Sequence, residues 1–120
     1  MLTINQNISI SEKSSVDFIF IHEILCMETH KGTHKIEIVL KHHAKRERIL
    51  VGKPLLEMEK KLPQSIFFRV SRTSIVNVTA IRTIHRNVQY TLTNGYRIQI
   101  PRTGYKLLIS FMEKIYQTII

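Results

Sequence analysis

Through most of this sequence the apolar residues come in runs of four to eight positions, rich in β-branched and aromatic side chains and broken by turn residues. That pattern restricts the chain to a fold of short β-strands. Val16 to Ile21 and Ile24 to Thr29 read as two strands, and His34 to Lys41 alternates apolar with polar side chains as a half-buried strand does. Lys31-Gly32-Thr33 supplies a turn between the second and third, with Gly32 as its permissive residue. Arg46 to Val51, Phe67 to Val70 and Ile75 to Val78 are further strands, with Ser71 to Ser74 a polar loop or single turn between the last two. Ala80 to His85, Val88 to Thr93 and Arg97 to Ile100 complete the set. Asn94-Gly95 is the strongest hairpin signal in the chain, because both residues tolerate positive φ.

The period changes in two places. Gly52-Lys53-Pro54 opens a short helix over about 53–62, with Leu55, Met58 and Leu62 on one face and Pro63 as its stop. Pro101 to Gly104 breaks the sheet, and a C-terminal helix follows over about 103–117, with Tyr105, Leu108, Met112 and Ile115 on one face. The expected fold is therefore mostly β, with one short helix and one C-terminal helix. At 120 residues, without a linker, repeat or low-complexity segment, a single domain over 1–120 is expected.

Charge is distributed unevenly. Residues 1–60 carry nine basic and eight acidic side chains, whereas residues 61–120 carry nine basic and one acidic. Between Glu59 and Glu113 there is no carboxylate side chain. A one-signed field of this kind attracts a polyanion and releases its counterions; the plainer reading is a solvated basic surface that keeps the protein soluble. Cys26 is the only cysteine, which excludes an intramolecular disulfide and fits a reducing compartment. With no long apolar run and no basic segment leading into an apolar stretch at the N-terminus, a cytoplasmic location is expected.

Patterns that carry catalysis are missing. Asp17 is the sole aspartate, the four glycines stand apart, and neither a phosphate-cradling glycine loop nor a nucleophile elbow occurs. His30 and His34 are four apart, but across a strand-turn-strand they do not share a helix face, so no metal site, cofactor, small-molecule substrate or catalytic residue is assigned. The basic residues are better placed for binding. Arg72 falls in the Ser71–Ser74 loop, Arg102 in the loop before the C-terminal helix, and Lys31, His34 and Lys35 around the first turn. A loop arginine can set its planar fork on a guanine edge, and Ser71, Thr73, Ser74 and Thr103 offer hydroxyls to phosphate oxygens.

The segment Phe67-Phe68-Arg69-Val70-Ser71-Arg72-Thr73-Ser74-Ile75-Val76-Asn77 resembles the signature of the LytTR DNA-binding domain of bacterial response regulators. Ile24-Leu25-Cys26-Met27-Glu28, the Leu55–Pro63 helix, Ala80-Ile81-Arg82-Thr83-Ile84, the Asn94-Gly95 hairpin and Ile100-Pro101-Arg102 extend the resemblance over residues 16–115. It implies an elongated, multi-stranded β fold whose loops enter the major groove at paired direct repeats. It also implies base reading by His34, Arg72 and Arg102, with Arg72 and Arg102 in adjacent turns of the groove. Phosphates would be held by Lys31, Lys35, Arg69, Ser71, Thr73, Arg86, Thr103 and Lys106. Two positions depart from the family: Ser71 stands where His is usual, and Pro101 where Ser is common.

The function expected is sequence-specific binding of double-stranded DNA in transcription regulation, with a second copy on the DNA. No receiver-type segment precedes the resemblance within this sequence: either the sequence is a domain cut from a longer chain, or the protein stands alone and its control is expected from a membrane or receiver-type regulatory partner. Two other readings are a module for RNA or single strands, which would need exposed stacking aromatics, and a protein–protein regulator that has lost DNA binding.

Overall fold

A strand such as Ile36-Glu37-Ile38-Val39-Leu40, apolar at consecutive positions, needs cover on both faces. A computed structural model, which describes residues 7–11, 14–30, 32–41 and 48–116, shows how that cover is supplied. In chain order the elements are β1 (Asn7–Ser11), β2 (Val16–Phe20), β3 (Ile24–Thr29), β4 (Ile36–Leu40), β5 (Arg48–Val51) and helix α1 (Leu55–Lys60). Then come β6 (Phe67–Ser71), β7 (Ser74–Asn77), β8 (Ile81–His85), β9 (Gln89–Leu92), β10 (Arg97–Gln99) and helix α2 (Arg102–Ile115).

Five strands form a central antiparallel sheet in the order β5-β4-β3-β7-β6. On one face Met27, Ile36, Ile38, Leu40 and Ile75 pack with Ile10 and Ile19 of the β1–β2 hairpin and with Leu55 and Met58 of α1. On the other, Cys26, Val39, Val70 and Val76 pack with Tyr90, Leu92 and Ile98 of a three-stranded sheet, β10-β9-β8, and with Leu108 of α2. The central sheet is thus the middle layer between two cores. This is why all five residues of β4 are buried, Glu37 included, where alternation alone predicts a half-buried strand.

Several boundaries differ from expectation for local reasons. β1, with no sequence assignment, is specified by its pairing with β2, from Asn7↔Phe20 to Ser11↔Val16. Pro54 is the N-cap of α1 rather than a residue of its first turn. At the β9–β10 hairpin only Gly95 takes positive φ, at 89°; Asn94 instead accepts the Tyr96 N–H on its side-chain oxygen at 2.9 Å. The C-terminal helix begins at Arg102, with Pro101 as N-cap in extended backbone. Gly104, read from sequence both as part of the sheet-breaking segment and within the expected 103–117 helix, lies inside the helix. Ile115, expected on the buried face of α2, is exposed. The expectations at Lys31 and at 46–47 and 117 lie outside the described residues.

Candidate nucleic-acid interface

The turn between β6 and β7 is held from three sides. Ser71 pairs with Ser74, which leaves Arg72 and Thr73 as the two turn residues, tighter than a loop spanning Ser71–Ser74. Arg69, one turn of chain back, folds its guanidinium over the turn. Its Nε donates to the Ser71 carbonyl at 2.7 Å, Nη2 donates to the Arg72 carbonyl at 2.8 Å, and Nη1 pairs with Glu59 Oε1 of α1 at 2.8 Å. The Ser71 and Thr73 hydroxyls lie 3.2 Å apart, and the Thr73 N–H donates to Ser71 Oγ at 3.2 Å. Arg69 thus holds the Ser71 and Arg72 carbonyls, and the Arg72 side chain is exposed.

Three further segments meet this turn in a linked row. The Thr29 N–H donates to the Thr73 carbonyl at 2.9 Å, which joins the end of β3 to the β6–β7 turn. Across the β3–β4 turn, the His30 N–H donates to the Lys35 carbonyl at 2.8 Å, and His34 and Lys35 are exposed there. On the other side α2 rests on β6, and the position a Cβ would take on Gly104 is occupied by the Val70 carbonyl oxygen. That approach sets the first turn of α2, carrying Arg102 and Thr103, beside the end of β6. Lys106 lies four residues after Arg102, on the same helix face, and both are exposed. Finally the Ile100 N–H donates to the Val88 carbonyl at 3.0 Å, which ties the β8–β9 turn, with exposed Arg86, to the start of α2. Val88 itself has φ 57°, a left-handed conformation rare for a β-branched residue.

His34, Lys35, Arg72, Arg86, Arg102 and Thr103 are thus exposed on segments joined in turn by backbone hydrogen bonds and, between β6 and α2, by the Gly104–Val70 approach. Arg102 sits in the first helical turn rather than in a preceding loop, because Pro101 caps the helix one residue earlier. Arg69, expected to contact phosphate, is half-buried and bonded through its nitrogens to the Ser71 and Arg72 carbonyls and to Glu59. Asn77, the last residue of the sequence signature, is also internal. It is buried, donates Nδ2 to the Ile24 carbonyl at 2.9 Å and accepts from the Thr79 N–H and hydroxyl. Sequence reasoning passed over Glu59, whose only signal was its place as the last carboxylate before the acid-free stretch. It also passed over the role of Gly104, which has no linear signal.

Among the described residues no group of three or more His, Cys, Asp or Glu side chains could hold a metal ion, and no helix is long and apolar enough to cross a membrane. No curated protein matches the chain. Among solved structures it is similar to the LytTr DNA-binding domain of a Bacillus cereus protein described as a methyl-accepting/DNA response regulator. The identity is 17% and the TM-score 0.73, over 89% of this chain and 96% of that one, a likeness of fold. The family model described as LytTr DNA-binding domain matches residues 14–113. On that match the chain belongs to the LytTR family, a family of DNA-binding domains and not of enzymes.

Proposed function

We propose that this chain, acting as a single unit, recognises a specific duplex DNA sequence in transcription regulation by presenting its linked turns to the major groove. The observation that carries this reading is that His34, Arg72 and Arg102 are all exposed on segments linked to one another by backbone hydrogen bonds and by the Gly104–Val70 approach. In this reading those three side chains meet base edges. Lys31, Lys35, Ser71, Thr73, Arg86, Thr103 and Lys106 hold phosphates, which fix register without reading sequence. Arg69 acts through the turn it clamps. The Gly104–Val70 approach keeps the Cα atoms of Arg72 and Arg102 within about 20 Å, counting two residues of chain on each side. One turn of B-DNA is about 34 Å. With the added reach of two arginine side chains, Arg72 and Arg102 are assigned to bases in adjacent turns of the major groove. A second copy on a direct repeat extends the site, and a membrane or receiver-type partner supplies control.

Exposed aromatics, which a single-strand module would need, occur among the described residues at Phe18 and Phe20 of β2, a strand whose one charged residue is Asp17, and at Tyr116 after α2, none of them in the row of linked turns. That placement favours the duplex. Selection of bound duplexes from a random pool, followed by Arg72→Ala, tests the proposal. Discrimination against substituted sites should fall by about 1–3 kcal/mol at the positions Arg72 reads. Unchanged discrimination would sink the base-reading role, and preference for single strands in competition would sink the duplex reading.

A further inference from the structure

An open cleft of about 380 Å³ lies between the β3–β4 turn and the junction of β5 with α1, at the low end of the range for ligand pockets. Its lining includes two lysines and a histidine, Lys35, Lys53 and His34, together with Thr29 and Thr33. The carboxylates of the adjoining strands are turned away. Glu28 and Glu37 are cross-strand partners. They stand two residues from Cys26 and Val39, which belong to the core on the opposite face of the sheet, and the Cys26 Sγ lies 3.9 Å from Glu28 Oε1. Among the described residues Glu57 meets Lys53 Nζ at 3.6 Å across a half-exposed i,i+4 pair. Such a pair is weak and exchanges readily for a better anion. The cleft also touches the proposed interface, since Thr29, in its wall, is bonded to Thr73 of the reading turn.

We infer that this cleft is a phosphate-binding site in which Lys35 and Lys53 jointly hold one phosphate oxyanion. Lys53 thereby becomes a contact residue outside the row of turns. The inference rests on the duplex-binding reading for its preferred source, a backbone phosphate flanking the bases read by Arg72, but the chemistry is that of any phosphate group.

Two measurements on the full chain separate the sources. In the first, each backbone phosphate of a selected duplex is replaced in turn by a neutral methylphosphonate. Wild type should lose about fivefold in affinity at one position outside the bases read by Arg72, and the Lys35→Gln/Lys53→Gln double variant should be indifferent there. In the second, inorganic phosphate is titrated into labelled protein without DNA. Saturable shifts at the Thr29, Gly52 and Lys53 amides that vanish in the double variant identify free phosphate as a ligand. Either result supports the site. It is overturned if the methylphosphonate profile of the double variant matches wild type and the amides do not respond. A wild-type chain that binds no duplex overturns the DNA reading instead, and the inorganic-phosphate titration still tests the cleft.

Discussion

Among single side chains, the cations of this surface divide into those that face solvent and the one that holds them in place. Arg69 spends its guanidinium on two turn carbonyls and on Glu59. A phosphate-binding arginine and a turn-clamping arginine make different predictions. Arg69→Gln should leave the salt dependence of binding to random duplex unchanged, whereas loss of a phosphate contact would lower that slope by about 0.9. It should instead narrow the gap between selected and random sites by about tenfold, because Arg72 is no longer held at a fixed angle. Glu59→Gln should move the same gap in the same direction by less. A salt slope that drops in the Arg69 variant would return this residue to the phosphate-binding set. The signature containing Arg69 was plain in the sequence, but its role was not. What the side chain does depends on where the carbonyls of its own turn point, and that is fixed only when Ser71 pairs with Ser74.

Among elements, most strands were legible, because each carries a local excess of β-branched and apolar residues between turn signals. What escaped was everything settled by a partner. β1 depends on its register with β2, the double-sided burial of β4 on two separate cores, and the start of α2 on its contact with β6. Gly104 shows the difference most sharply. In an isolated helix, replacing glycine by alanine gains about 1 kcal/mol. Here the added Cβ meets the Val70 carbonyl oxygen, a backbone atom that cannot swing aside, so the whole helix must lift from β6. Gly104→Ala is therefore expected to destabilise the protein by about 1–3 kcal/mol, and to weaken duplex binding as well, since Arg102 and Thr103 ride on the displaced turn. Ser110→Ala, on the exposed face of the same helix, should be neutral or slightly stabilising. Thermal unfolding of the two variants checks this directly: a Gly104→Ala protein as stable as wild type would mean that α2 is not seated as described.

In the whole molecule, the three-stranded sheet and α2 join the central sheet through one core, and Tyr90 stands in its middle with no exposed surface. Burial pushes its phenol well above the usual tyrosine range, and the neighbouring Cys26 and Glu28 push the same way; the Ser74 hydroxyl opposes them. Neither the Tyr90 nor the Ser74 hydroxyl makes a hydrogen bond of good geometry, so the phenol group contributes little beyond its ring. A folded-state pKa above the unfolded value near 10 gives a contribution that is fully present below about pH 10. Above it the unfolded chain ionises Tyr90 while the folded chain cannot, so stability falls by up to about 1.4 kcal/mol per pH unit. Tyr90→Phe keeps the ring between the sheets and removes the titration. Chemical denaturation at neutral pH should then place the variant within about 1 kcal/mol of wild type, while between pH 10 and 11 the variant should lose less stability than wild type. Equal alkaline losses in the two proteins would show that another group drives the alkaline transition, and that the two sheets part before Tyr90 is forced to ionise.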